Sequence, residues 1–279
     1  MGATLGVYDV SYNRFSSYTE DLNDDFGKEN GGYTLDNYYT LDGTGIDLKL
    51  GVIVRPFESS PFRLGFAVHT PTWYDLRESY NANLSSNIDY YGEAYNQNLG
   101  DFLIGRDYDY LTYDYNLTTP WKFNVSAGTT VGGLVAIGAE YEYQDYSAMH
   151  FSYSDGEAMG WQNPTAKEML KGVNTFRIGA EWKVIPQFAF RLGYNYMSAA
   201  FKKTAFKDLS YNSINTDTDF ANAKANNNYT LGIGYRGSTF YADLAYMYST
   251  YKEDFYPFDD GALKKTDVTN SRSKVMMTL

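Results

Sequence analysis

Hydrophobic stretches recur along this chain in pairs, separated alternately by a tight turn and by a long polar segment. Each stretch shows period-two alternation of apolar and polar residues, the pattern of a half-buried strand. Ten of them fall at about 4–18, 44–56, 61–82, 109–130, 134–153, 172–185, 188–202, 227–237, 239–253 and 271–279. Tight turns lie near Phe57–Pro61, Val131–Leu134, Ile185–Phe188 and Arg236–Thr239. Long polar segments lie near 20–43, 83–108, 154–171, 203–226 and 254–270. Strands that run up and down in one antiparallel sheet put every short turn at one end and every long connection at the other. That is the form of a transmembrane β-barrel, with short periplasmic turns and long outer loops. A soluble sandwich has no reason to keep all its long loops at one end. The spacing therefore predicts an all-β, antiparallel up-and-down transmembrane β-barrel over 1–279 as a single domain, with the longer strands projecting outward as hairpins.

The alternation is clearest in 174–184, where Phe176, Ile178, Ala180, Trp182 and Val184 share one face and Arg177, Gly179, Glu181 and Lys183 the other. It resumes after Pro186-Gln187, with Phe188, Phe190, Leu192, Tyr194 and Tyr196 against Arg191, Gly193 and Asn195. The apolar face carries almost no charge. The other face carries Asp47, Lys49, Arg55, Arg63, Lys122, Glu140, Glu142, Arg177, Glu181, Lys183, Arg191 and Asp243, interspersed with glycine. Alternation alone fits a soluble barrel with an apolar interior as well as a membrane barrel with an apolar exterior. The gap pattern, the glycines and the aromatic stripe favour the second. Aromatic residues make up 18% of the chain, with 29 Tyr, and such rings suit a membrane–water interface. A mean hydropathy of -0.47 is no obstacle, because a barrel strand needs apolar residues only at alternate positions.

No run of apolar residues is long enough for a transmembrane helix. The opening Met1-Gly2-Ala3-Thr4-Leu5 lacks the basic region of a signal peptide, so an export signal is expected upstream of it. The absence of cysteine removes disulfides, thiolate metal sites and cysteine catalysis. A net charge of -11 argues against a general nucleic-acid binder. The glycines sit at strand period with no helix following, so they form no phosphate loop. The two histidines are His69 and His150. His69 should face the lumen beside Thr70-Pro71, where Pro71 must kink or bulge the strand. His150, with Asp145 and Asp155 nearby in sequence, offers the ingredients of an omptin-like outer-membrane protease, which needs a His–Asp pair and carboxylates positioning a water. No omptin-like motif accompanies them. The acidic runs at 20–25 and 259–260 could offer oxygens to Ca²⁺ but lack EF-hand spacing, and solvated outer loops are the better reading. The expectation is a protein that is not an enzyme and uses no cofactor or metal.

Two stretches, Gly43-Thr44-Gly45-Ile46-Asp47-Leu48-Lys49-Leu50-Gly51-Val52-Ile53-Val54-Arg55-Pro56 and Phe62-Arg63-Leu64-Gly65-Phe66-Ala67-Val68-His69-Thr70-Pro71-Thr72-Trp73-Tyr74, resemble the long-chain fatty acid transporter family of outer membranes (the FadL/TodX type). Thr119-Pro120-Trp121-Lys122-Phe123 and the hairpin from Phe176 to Tyr196 fit the same family. The resemblance implies a fourteen-stranded barrel with an N-terminal hatch, of which about ten strands are present here. The hatch and about four strands would lie upstream. The strand Ser273–Leu279 ends without the terminal aromatic usual in such barrels. It also implies passive uptake of hydrophobic small molecules such as long-chain fatty acids, through a monomeric barrel set in the lipid bilayer and its lipopolysaccharide. A fatty-acid-like ligand asks for apolar wall and a cationic anchor. Ile53, Met197, Tyr241, Met247 and Met276 are candidates for the wall, and Arg177, Arg191, Lys122, Lys183 and His69 for polar contact. A porin-like barrel for polar solutes is the alternative.

Overall fold

A computed structural model describes residues 1–23, 29–86, 95–98, 111–205, 220–256 and 264–279. The expected outer-loop tips at 24–28, 87–94, 99–110, 206–219 and 257–263, including Asp259 and Asp260, lie outside the described residues. The strand segments are β1 (Gly2–Asn23), β2 (Glu29–Val54), β3 (Arg63–His69), β4 (Trp73–Ser86), β5 (Tyr95–Asn98), β6 (Leu111–Thr118), β7 (Lys122–Val131), β8 (Val135–Asp145), β9 (His150–Tyr153), β10 (Gly172–Ile185), β11 (Phe188–Met197), β12 (Phe220–Arg236), β13 (Tyr241–Tyr256) and β14 (Thr266–Thr278). One helix, α1 (Gln162–Met169), lies in the β9–β10 connection. All form one antiparallel sheet.

Sequence neighbours pair as an up-and-down meander, in the order β14-β13-β12-β11-β10-β8-β7-β3-β2, with β1 on the far edge of β2. The four tight turns fall where the spacing predicts them. In the β7–β8 turn, Gly132 and Gly133 both have positive φ (59° and 68°), the pair a two-residue hairpin turn demands. Among the described residues β1 and β14 do not pair with each other.

Three predicted strands are each split in two at a common level. The stretch 61–82 becomes β3 and β4, 109–130 becomes β6 and β7, and 134–153 becomes β8 and β9. The cause is local. Pro71 and Pro120 have no N–H to donate, and the register on either side (His69 with Lys122, Trp73 with Thr118) sets them opposite one another. Threonines repair the ladder there. The backbone N–H of Leu48 donates to Thr70 Oγ1 (3.0 Å) and that of Thr72 to Thr119 Oγ1 (2.8 Å). In the third strand a 3₁₀ turn at Tyr146–Ala148, capped by the Asp145 side chain, makes the break.

The polar segment expected as loop at 20–43 is instead mostly strand. β2 runs unbroken for 26 residues, pairing with β1 from Glu29 to Gly51 on one side, and on the other with β3 at one end and β4 at the other. Outside lipid a strand needs neighbours for its backbone, not an apolar face, so polar composition does not forbid it. β2 also serves as a ruler, because its regular alternation tells which residues of different levels share a face.

Below the break, the best-covered charged residues sit between bare apolar ones. Asp47 is 5% exposed while its neighbours Ile46 and Leu48 are 45% and 36% exposed. Arg177 lies between the exposed Phe176 and Ile178, and Lys122 between the exposed Trp121 and Phe123. This inverts a soluble sheet and settles what alternation left open: the apolar face is the outer one. Aromatic residues on that face form two girdles. One follows the break, through Trp73, Trp121, Tyr141, Phe176, Tyr196, Tyr194 and Tyr229. The other lies by the short turns, through Trp182, Phe188, Phe190, Tyr235 and Phe240. Val125, Ile137, Ile178, Leu192, Leu231, Ile233 and Leu244 fill the band between. From Phe188 to Tyr196 the strand covers about 27 Å at ~3.4 Å per residue, the height of a lipid-facing band. The chain is thus the wall of a transmembrane β-barrel of the outer-membrane kind.

Candidate functional site

The lumen-facing side of this wall is built from charged side chains at strand period. On β2, Asp47 accepts from the Tyr8 hydroxyl (2.9 Å) and the Thr72 hydroxyl (3.4 Å), with the Lys49 ammonium 3.7 Å away. Its Oδ1 has no hydrogen-bond partner and sits over Gly6, where a Cβ would come within 2.2 Å of it. Only glycine leaves that carboxylate its place. Lys49 also donates to Tyr8 Oη (2.7 Å). In register across the sheet come His69 and then Lys122. Lys122 faces Glu142 (3.6 Å), and Arg177 bridges Glu142 (3.2 Å) and Glu140. A second group lies nearer the short turns: Arg191 holds Glu181 (2.8 Å) and Asp243, and Lys183 stands 3.9 Å from Glu181.

Between these groups the lumen wall carries a cavity of about 430 Å³, lined by Ile53, Arg63, Gly65, Ser126, Glu140 and Arg177 among others. Glycines 128, 138 and 179 give it a floor of bare backbone.

All ten sequence candidates lie on the lumen-facing side of their strands. The cavity gathers Ile53 and Arg177 and none of the other eight. Met197, Tyr241, Met247 and Met276 belong to β11, β13 and β14, away from it. Arg177, Arg191, Lys122 and Lys183 are each engaged by carboxylates, so none stands ready as a lone anchor. Arg63, which sequence reasoning passed over, lines the cavity and has no ion pair among the described residues. Its signal was present: it is the cation nearest the turn on the charged face of β3.

Above the break the faces exchange character. The lumen side of β2 continues through Leu41, Tyr39, Asn37, Leu35 and Tyr33, and that of β4 through Tyr74, Leu76, Glu78, Tyr80 and Ala82, mostly tyrosine and aliphatic. Leu35, Leu76 and Ala82 are buried at 9%, 5% and 3% exposure. The opposite side carries Thr40, Asp42, Asp75, Arg77, Asp114 and Asn116. A ribbon that has left the membrane is wet outside and apolar inside. The inner tyrosines sit among their own kind, and burial first, then the charge of Glu78, pushes the Tyr39 and Tyr115 hydroxyls well above the ordinary phenol range.

The omptin-like arrangement is not assembled among the described residues. Asp145 accepts from Ser147 and Asp155 from the Glu157 N–H, and neither pairs with the exposed His150. Nor do the described residues hold a group of three or more acids and histidines suited to a metal.

No family model matches this sequence, and no curated protein does. Two solved structures are similar in outline. One is a FadL homologue of Pseudomonas aeruginosa, 12% identical with a TM-score of 0.39, the match covering 97% of this chain and 67% of that one. The other is OmpT, an outer membrane protein of Vibrio cholerae, 10% identical with a TM-score of 0.32, covering 99% and 96%. Likenesses this distant bear on neither family nor activity.

Proposed function

We propose that this chain is the wall of an outer-membrane channel for passive uptake of hydrophobic small molecules such as long-chain fatty acids, in a barrel of the FadL/TodX type. The observation that carries the reading is the change of lining along one face. A hydrophobic solute meets tyrosine and leucine on the projecting ribbon before it reaches the charged wall, where the cavity at Arg63 has a volume in the range of small-molecule sites. A porin for polar solutes has no use for an apolar entrance. The wall is monomeric and faces lipid and lipopolysaccharide outside. Arg63 replaces the four paired cations as the proposed carboxylate contact, with Ile53 beside it as apolar wall.

Liposome uptake tests this. Vesicles carrying the full-length protein should take up labelled long-chain fatty acid, and Arg63→Ala should slow that uptake about tenfold, the worth of one charge-assisted hydrogen bond. Free passage of sugars and amino acids, with no fatty acid uptake, would establish the porin reading instead.

A further inference from the structure

Glu78 lies on the inner face of the projecting ribbon, near the middle of β4. Its cross-strand partners are Leu41 on β2 and Tyr113 on β6. One of its oxygens accepts from two phenols, Tyr39 (3.2 Å) and Tyr115 (3.3 Å), which reach it from the strands on either side. Tyr12 meets Tyr39 edge to face with centroids 6.0 Å apart, and Tyr80 stacks on Tyr113 at 6.4 Å. A carboxylate is thus set among five tyrosine rings.

What Glu78 lacks is a cation. Asp47, Glu140, Glu142, Glu181 and Asp243, all on the same face at membrane level, each have a Lys or Arg nitrogen within 4 Å. Glu78 has none among the described residues. Arg14 on β1 lies opposite Tyr39, two strands away from Glu78. Phenol hydroxyls stabilise a carboxylate by hydrogen bonding but leave its charge uncompensated. Ring faces attract cations too, most strongly where water is scarce. An inorganic ion would keep its water and gain little from the rings, whereas an organic ammonium is weakly hydrated and matches both partners.

We infer that Glu78, with Tyr12, Tyr39, Tyr80, Tyr113 and Tyr115, forms a binding site for an organic ammonium group at the outer entrance of the barrel. This goes beyond the uptake reading and does not depend on it, since a channel for uncharged or anionic solutes requires no cation site there.

The test is binding, not transport. The full-length protein in nonionic detergent is titrated with choline and with neohexanol, its uncharged carbon isostere, and both are followed by saturation-transfer NMR. Choline should bind at least tenfold more tightly than neohexanol. Glu78→Gln should remove that preference, and Tyr113→Leu should weaken choline about three- to tenfold. Glu20 is held by the Tyr33 (2.6 Å) and Tyr18 (3.2 Å) hydroxyls near the hairpin end, outside this ring of aromatics. Glu20→Gln should therefore leave choline binding unchanged, which separates the site from general negative charge. Retained heat-modifiable migration of each variant shows that the barrel is folded. Equal binding of choline and neohexanol, or a folded Glu78→Gln protein that binds choline as the parent does, overturns the site.

Discussion

Arg177 and Ile178 are adjacent in the chain and opposite in surroundings. Arg177 sits among Glu140 and Glu142 on the lumen side, while Ile178 is 54% exposed in the middle of the aliphatic band. If that band faces hydrocarbon, an arginine at 178 must be desolvated or bend away to water. Ile178→Arg is expected to cost about 2–4 kcal/mol, the penalty of a cation near the bilayer midplane. Gly179→Ser, one residue on and facing the lumen, should stay within ~0.5 kcal/mol, because its nearest neighbour to a new Cβ is Leu192 O at an ordinary 3.5 Å. Urea titration of the protein folded into phospholipid vesicles measures both. Similar costs at the two positions would mean that the bare face does not meet lipid.

At the scale of the strand, the break is where the chain had to solve a problem of its own making. Opposed prolines delete two donors at the edge of the hydrocarbon, where unpaired backbone is expensive. Thr119→Val keeps the shape and removes the acceptor for the Thr72 N–H, so it should cost about 1–3 kcal/mol in the same titration. A cost near zero would show that water reaches that amide and that the break lies outside the membrane. The outer hairpin of β1 and β2 makes a second, pH-dependent case. The Glu20 hydrogen bond, helped by burial, pushes the Tyr33 phenol up to about 12. A raised phenol pKa means that the folded state holds its proton more tightly than the unfolded state. Its contribution is complete below the unfolded value near 10 and is lost as pH rises toward 12. The protection of hairpin-end amides, measured as their exchange relative to unstructured peptide at the same pH, should therefore fall between those pH values, and Tyr33→Phe should abolish that fall. The strands themselves were legible in the sequence wherever one face met lipid, as at 174–184, because two different solvents write two different residue sets. Pro71 announced its break, but the alignment of Pro71 with Pro120 depends on register between strands, which no single strand encodes. The extension of β2 back to Glu29 was hidden for the opposite reason: polar residues and tyrosine occur on both of its faces there, so period two fades although the ladder continues. The ring around Glu78 was invisible for the reason that hid the proline alignment, since its members come from four strands.

The whole molecule is a single sheet passing through two surroundings, and its lining reverses where the surroundings change. Within lipid the sheet is apolar outside and charged inside. Beyond the break it is mostly polar outside and lined mostly by tyrosine and aliphatic residues inside, closer to a sheet in water. The level of reversal, the level of the strand breaks and the outer aromatic girdle coincide, which fixes where the membrane ends. The four tryptophans sample this arrangement. Trp73 and Trp121 are each 49% exposed at the break, Trp182 is 53% exposed in the girdle beside the short turns, and Trp161 is 56% exposed just before α1, beyond the break. Similar exposure therefore conceals different neighbours, lipid for three and water for one. In single-tryptophan variants with the other three changed to Phe, brominated phospholipids should quench Trp73, Trp121 and Trp182, and more strongly with bromine high on the acyl chain than near its end. Trp161 should ignore brominated lipid and respond to aqueous iodide. If Trp73 and Trp121 behaved like Trp161, the break would stand clear of the bilayer. The threonine repairs, the girdle and the reversal of lining would then need separate explanations instead of one.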